Sequence, residues 1–73
     1  MSEVPRFLSV SRVAEALDGI SEMTLYREIR AHRFPAVRVG RRVLIPAELL
    51  TEMAADAMET RSLVNSADYV PAA

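Results

Sequence analysis

The sequence predicts a mainly α-helical domain with one small β-hairpin, in the order helix 1, helix 2, hairpin and helix 3. Two short segments of helical periodicity meet at Asp18-Gly19, and glycine is common just after the end of a helix. After Phe34-Pro35 the apolar residues recur at every second position, which indicates a hairpin. Two helices followed by a hairpin are the elements of a winged helix-turn-helix, in which the hairpin is called the wing.

Serine residues are predicted to begin the first two helices. Ser9 and Ser21 can each accept a hydrogen bond from a free amide of the first turn. An apolar residue precedes each serine, and another lies at the fourth helical position, where the two can pack together. These pairs are Leu8 with Val13 and Ile20 with Leu25, and the buried face of helix 1 is predicted to comprise Val10, Val13, Ala14 and Leu17.

The second helix is predicted to have one apolar side and one basic side. At about 100° per residue, Leu25 and Ile29 point in nearly the same direction and should face the core. The opposite direction holds Arg27 and Arg30, whose guanidinium groups can bond guanine edges or phosphates. We expect this helix to enter a DNA major groove and to contact it through Ser21, Met23, Thr24, Tyr26, Arg27 and Arg30.

The wing carries three arginines near its turn, Arg38, Arg41 and Arg42, which we expect to hold the adjacent DNA backbone or minor groove. Two registers are open. A two-residue turn, Gly40-Arg41, suits the glycine but places Arg42 on the face of two valines. A three-residue loop through Arg42 instead aligns Val37, Val39, Val43 and Ile45 on one face. We favour this loop, because burial specifies strand register strongly.

A third helix is predicted after the wing, with Pro46 in its first turn. Apolar residues from Leu49 to Met58 form one stripe, and four acids lie on the other side. The end of the stripe extends past what two short helices and a hairpin can cover, so we expect a protein-partner surface there. That surface is predicted to comprise Glu52, Asp56, Ala57 and Met58.

The length of the chain suits one domain, which is predicted over residues 1–59. Residues 1–7 are expected to form an irregular arm whose last residue, Phe7, covers the core. Helical periodicity is lost after residue 59, so residues 60–73 are predicted to be a tail that is mobile or becomes ordered on a partner.

Charge is distributed unevenly along the chain. Residues 23–45 contain six of the nine arginines and one acid, Glu28, a formal charge of +5, whereas residues 46–73 contain one arginine and five acids, a charge of −4. One end of the protein can therefore face phosphate while the other is repelled by it. We expect Arg12 and Arg33 to make secondary DNA contacts. Neutralising about six phosphates would give a slope of log affinity against log salt of roughly −5.

Composition argues against several other functions. The chain has no cysteine and one histidine, His32, so neither a disulfide nor a metal cluster is expected. It lacks paired carboxylates and a glycine-rich phosphate loop, and it is too short for a water-excluding cleft, so we expect no catalytic residue, no cofactor and no small-molecule ligand. No apolar run approaches the ~18 residues of a membrane span, and we expect a cytoplasmic protein.

A resemblance to a known family is carried by three stretches of the sequence. They are Leu8 to Leu17, Ile20 to Ile29, and Pro35-Ala36-Val37-Arg38-Val39-Gly40-Arg41-Arg42 with the following Ile45-Pro46. Together these stretches, within residues 8–50, resemble the excisionase-type, MerR-like winged helix-turn-helix domains. Where that family usually has an acid near the start of helix 1, this chain has Ser11-Arg12, which we interpret as one more phosphate contact.

The resemblance implies a recombination directionality factor of a phage or mobile element. Such a protein would bind repeated sites in attachment DNA beside neighbouring copies of itself, bend the DNA and assist a tyrosine integrase in excision. It would act at the nucleoid of a bacterial or phage-infected host cell. The charge split suggests that the acidic side of helix 3, or the tail, lies against the basic wing of a neighbouring copy on adjacent DNA.

Two other functions remain open on the sequence. A small transcriptional regulator would bind a promoter through the same surface. A protein-only interaction module would instead use the arginines to bind an acidic protein.

Overall fold

The computed structural model describes residues 6–70 and contains the predicted helices and wing. Strand β1 (Phe7–Ser9) leads into α1 (Val10–Ala16) and α2 (Glu22–Arg30), and strands β2 (Val37–Val39) and β3 (Arg42–Pro46) form the wing. Helix α3 (Ala47–Thr60) and a short 3₁₀ helix (Ser66–Tyr69) follow. The strands form one antiparallel sheet in the order β1-β3-β2. The predicted winged helix-turn-helix is therefore confirmed.

The predicted serine caps begin both short helices. The Ser9 hydroxyl accepts a hydrogen bond from the Arg12 amide at 3.2 Å, and the Ser21 hydroxyl accepts one from the Thr24 amide at 3.4 Å. Each bond satisfies one of the amides that the first helical turn leaves without a partner. Helix α3 lacks such a side-chain bond, and its N-cap is Pro46.

Helices α1 and α2 end in left-handed residues, and at both ends a non-glycine residue adopts that conformation. After α1, Asp18 (φ 65°) and Gly19 (φ 78°) are both left-handed. The sequence predicted this conformation for Gly19 only. After α2 the left-handed residue is His32 (φ 60°). There the His32 amide donates to the Ile29 carbonyl and the Arg33 amide to the Glu28 carbonyl. These bonds satisfy the last carbonyls of the helix.

The core joins the helices to one face of the sheet. Val10, Val13 and Ala14 of α1 are buried, and Leu17 packs against them, which confirms the predicted face of helix 1. The rest of the buried core comprises Leu25, Phe34, Ile45 and Leu49. Phe34 was not predicted as a core residue, because it lies between the periodic segments.

The prediction that Phe7 ends an irregular arm and covers the core was wrong. Phe7 begins strand β1, which pairs with β3, and its side chain is 46% exposed. Successive residues of a strand point to opposite faces. Leu8 pairs with the buried Ile45 and packs on the core, so Phe7 must point away from it. Residues 1–5 of the predicted arm lie outside the described residues.

The favoured register of the wing was also wrong. Val39 pairs with Arg42, so the turn is the two-residue Gly40-Arg41, with Gly40 at φ 61°. Val43 and Ile45 face the core side, but Val37 and Val39 lie on the outer face and are 39% and 62% exposed. Burial of these valines therefore does not specify the register. The turn does, because glycine adopts positive φ at low cost and arginine does not.

The predicted mobile or partner-ordered tail comprises residues 60–73, of which residues 71–73 lie outside the described residues. Ser66 and Tyr69 of this stretch contact the domain. Tyr69 packs on the core, and its hydroxyl donates to the Asp56 carboxylate of α3 at 2.6 Å. The Ser66 hydroxyl donates to the Arg33 carbonyl, also at 2.6 Å. We call residues 61–70 the C-terminal segment. It joins α3 to the end of α2.

Candidate nucleic-acid interface

Helix α2 is the second helix of the helix-turn-helix and therefore its recognition helix. Leu25 is 2% exposed and Ile29 packs on the core, so the predicted inner side is confirmed. On the opposite side Arg27 and Arg30 are exposed, and Met23 is 74% exposed. A long unbranched side chain left in solvent beside two guanidinium groups is suited to contact with base edges and thymine methyl groups.

Three further residues predicted to contact DNA lie on or beside the recognition helix. Tyr26 is 38% exposed, and its phenol can donate to a phosphate. Ser21 is exposed, while Thr24 is half-buried. The Ser21 oxygen accepts the Thr24 amide, but its O–H remains able to donate to phosphate.

The wing places its three arginines around one tip. Arg41 lies in the turn, Arg38 pairs across the hairpin with Val43, and Arg42 pairs with Val39. Because alternate residues of a strand point to opposite faces, Arg38 and Arg42 project from opposite sides of the wing. All three arginines are exposed. A strand of nucleic acid passing either side of the tip would meet a positive charge.

An open groove of about 550 Å³ separates the end of the recognition helix from the wing. Ile29 and Arg30 line its helix side, and Val37 and Arg38 line its wing side. Phe34 and Val70 also line this groove. Its lining is mainly apolar with a guanidinium group from each side, so two arginines that we predict to bind DNA face the same opening.

The one acid of the basic segment is neutralised by a neighbouring arginine. The Arg33 side chain donates to both oxygens of Glu28, at 3.1 Å and 2.9 Å. These hydrogen bonds, with the attraction between the two charges, hold the pKa of the Glu28 carboxyl below its usual range and that of the Arg33 guanidinium above it. Glu28 therefore presents little repulsion to phosphate, and Arg33 is the least available of the predicted DNA contacts.

Arg12 lies apart from these arginines, in the first turn of α1, where it is exposed. Along residues 6–70, the Glu28–Arg33 pair is the only ion pair. The roles of Arg12 and the other predicted contacts in DNA binding stay predictions.

The predicted protein-partner surface on α3 is only partly exposed. Met58 is 78% exposed and Glu52 is exposed, but Ala57 and Asp56 are half-buried. Asp56 is already bonded to the Tyr69 hydroxyl. Leu63, which was not predicted as part of this surface, is 84% exposed just beyond the helix. Its only signal was the apolar pair Leu63-Val64 in a polar stretch.

Two other kinds of site are absent from residues 6–70. None of the helices there is long and apolar enough to cross a membrane. No group of three or more histidine, aspartate or glutamate side chains in that range could hold a metal ion.

Comparison with known protein families covers the recognition helix and the wing. A family model described as a helix-turn-helix domain matches residues 7–58, from the first strand to near the end of α3. No curated protein and no solved structure matches the chain significantly. Because the matched segment is most of the chain and includes both the recognition helix and the wing, this protein belongs to the helix-turn-helix family of DNA-binding domains.

Proposed function

We propose that this protein is an excisionase-type recombination directionality factor, which binds attachment-site DNA and assists an integrase in excision. The observation that carries its DNA-binding part is the placement of five exposed arginines on two neighbouring elements. They are Arg27 and Arg30 on the recognition helix and Arg38, Arg41 and Arg42 on the wing. The excisionase part rests on the resemblance carried by the three stretches within residues 8–50.

Recognition would combine base contacts and backbone contacts. The recognition helix enters the major groove, where Arg27 and Arg30 bond guanine O6 and N7 or flanking phosphates. Met23 contacts thymine methyl groups. The wing lies over the neighbouring backbone, where Arg41 at the tip reaches the minor groove.

DNA bending would follow from neutralising phosphates at separated points. Arginines on both faces of the wing and on the recognition helix attract backbone from more than one direction. Bending of a short site costs about 1–6 kcal/mol, which extra contacts must offset. An architectural protein without catalytic groups would act in this way.

Cooperative binding would come from the charge split. The acidic side of α3 of one copy would lie near the basic wing of its neighbour, as the heterologous contact of a head-to-tail array. Asp56 is committed to Tyr69, so Glu52 and Glu59, both exposed, are the better residues for a test.

The first experiment is a gel-shift titration on attachment-site DNA, with circularly permuted probes to report bending. We expect a ladder of bent complexes and a slope of log affinity against log salt of roughly −5. Glu52→Lys and Glu59→Lys, made singly, should each reduce cooperativity and keep single-site affinity, and Glu15→Lys, on α1, serves as the charge-matched control. An equal loss of cooperativity and single-site affinity would contradict the assembly hypothesis.

The same titration separates the other functions. A single unbent complex confined to promoter DNA would favour a transcriptional regulator. A slope near −1 on every DNA would contradict DNA binding by this surface and favour a protein-only module. A recombination assay with purified integrase then tests the excision role, with increased excision as the expected result.

A further inference from the structure

The C-terminal segment leaves the acidic helix and returns to the connection between the recognition helix and the wing. We call residues 31–36 the α2–β2 connection. Near its far end, the Tyr69 hydroxyl donates to Asp56 of α3, and the Ser66 hydroxyl donates to the Arg33 carbonyl of this connection. Both donor–acceptor distances are 2.6 Å. The segment therefore bridges two parts of the fold that are far apart in sequence.

Arg33 is held at three points. Its amide donates to the Glu28 carbonyl, its guanidinium group bonds the Glu28 carboxylate, and its own carbonyl accepts from Ser66. The first two contacts fix Arg33 to α2. The third is the one that fixes it to another part of the protein.

The next residues of the connection also meet the segment. Pro35 and Tyr69 line one shallow depression with Leu49 of α3. Phe34 and Val70 line the groove between α2 and the wing. The segment therefore lies beside three consecutive residues of the connection.

The spacing of the two arginine-bearing elements depends on this connection. An open groove of about 550 Å³ lies between Arg30 on α2 and Arg38 on β2. The two elements do not fill this space with their own side chains, so outside the shared core the connection is what links them. What holds the connection therefore affects their spacing.

We propose that Ser66 and Tyr69 are positioning residues for the DNA interface, holding the α2–β2 connection so that recognition helix and wing engage DNA together. This inference rests on the proposed DNA-binding function but not on the excisionase role. The bridging bonds come from residues beyond 58, where the family match ends. The segment is thus an addition to the helix-turn-helix domain that stiffens its binding surface.

The chain offers matched variants for a test. Ser66→Ala and Tyr69→Phe each remove one hydroxyl and keep the rest of the side chain. Ser62→Ala is the control, because the Ser62 hydroxyl bonds only the nearby Thr60 hydroxyl, at 2.8 Å. Ser66→Thr keeps a hydroxyl and should restore the behaviour of the unchanged protein.

The first measurement needs no DNA. Backbone amide chemical shifts of the full chain are compared between each variant and the unchanged protein. We expect Ser66→Ala to shift the amides of the connection and of the wing from Val37 to Arg42. Shift changes confined to residues 60–70 and Arg33 would overturn the positioning role.

The second measurement is DNA affinity in two backgrounds. The Ser66→Ala and Tyr69→Phe double variant should bind about fivefold more weakly, the order expected for losing hydrogen bonds. In an Arg41→Ala background the same change should reduce affinity by less than about twofold. The contact of Arg41 at the wing tip, which depends on positioning, is already gone there. Equal losses in both backgrounds, or an equal loss with Ser62→Ala, would overturn the proposal.

The two measurements separate this inference from the proposed function. If the unchanged protein shows no salt-sensitive DNA binding, the proposed function is wrong. The amide shifts still decide whether the segment positions the wing.

Discussion

The basic half of the molecule, residues 23–45, leaves most of its charges unpaired. In the acidic half, residues 46–70, one carboxylate accepts a hydrogen bond from a side chain of the same half. Across residues 6–70 the only ion pair is Arg33–Glu28, so the five arginines predicted to be the main DNA contacts have no carboxylate partner there. In the acidic half, Asp56 accepts the Tyr69 hydroxyl, and this bond helps to fold the C-terminal segment back.

This difference indicates what each half does. Unpaired like charges repel one another and reduce stability, so a domain that keeps them exposed gains nothing for folding. Exposed charges of this kind suit a ligand of opposite charge. The acidic half instead uses a carboxylate for an internal bond and exposes apolar side chains at Met58 and Leu63, which suits a protein contact better than a DNA contact.

The largest expected effect comes from the core that both halves share. Ile45, on strand β3 of the wing, is 0% exposed and packs in the core with the helices. Ile45→Ala should lower the free energy of unfolding by about 3 kcal/mol, a large part of what a domain of this size has. Urea denaturation followed by circular dichroism measures the change. A loss below about 1 kcal/mol would mean that the core can collapse around the missing atoms.

Removing single arginines should affect only the basic half. Arg27→Ala and Arg41→Ala should each weaken DNA binding about tenfold and make the slope of log affinity against log salt less steep by about 1. Arg61→Ala, which removes the same charge beyond the end of α3, is the control and should change affinity by less than about twofold. Equal losses for all three would show that net charge, not the proposed surface, governs binding.

The strained end of the recognition helix should tolerate glycine. His32 has φ 60°, a conformation that costs a non-glycine residue roughly 1 kcal/mol. His32→Gly should therefore stabilise the protein by about 0.5–1 kcal/mol, measured by thermal unfolding. Gly40→Ala is the opposite case, because Gly40 has φ 61°, and it should destabilise the wing. Destabilisation by both changes would contradict the account of His32.

Releasing the one paired arginine should sharpen the contrast between the halves. Glu28→Gln frees Arg33 and removes the only acid of the basic segment, so DNA affinity should rise a few-fold and the salt slope should steepen by about 1. Glu15→Gln on α1 is the charge-matched control. Stability from this pair should be present above pH 4.5 and lost as pH falls below it, because the pKa of Glu28 is lowered in the folded chain. Unchanged affinity would show that Arg33 cannot reach the DNA.

The smallest expected effect is the response of the acidic half to high pH. The hydrogen bond to Asp56, with burial and nearby carboxylates, raises the pKa of Tyr69 from 10.0 to about 12. The folded chain therefore holds this proton more tightly than the unfolded one. The resulting stability should be fully present below pH 10.0 and lost as pH rises through about 12. Urea unfolding of the unchanged protein and of Tyr69→Phe at a series of pH values measures it. Identical unfolding curves for the two proteins across this range would contradict the prediction.

Much of the fold was predictable because its signals are local. The serine caps, the apolar side of α2 and the buried face of α1 each depend on residues within two or three turns of one another. The exposure of Arg27 and Arg30 followed from the positions of Leu25 and Ile29. Strand β1 was not predictable in this way. Phe7–Ser9 is too short to show a period, and it pairs with the distant residues Leu44 to Pro46.

The wing register shows how a correct principle led to a wrong prediction. Burial specifies the register of a strand only where one of its faces is buried and the other is exposed. β2 is an edge strand whose valines are both exposed, so that criterion did not apply. The positive φ required at Gly40 was the local signal that determined the turn.

From the sequence alone came the order of the three α-helices and the wing, the two faces of the recognition helix and the concentration of positive charge on that helix and the wing. These follow from periodicity, capping and charge, which act between near neighbours. The tertiary structure was needed to show that Arg33 is paired with Glu28, that β1 joins the wing sheet, and that Ser66 and Tyr69 join α3 to the α2–β2 connection. The strand pairing and the bridge join residues distant in the chain, and the Arg33 pair depends on the path taken after α2 ends. Which partners meet in these cases is determined by how the chain packs as a whole.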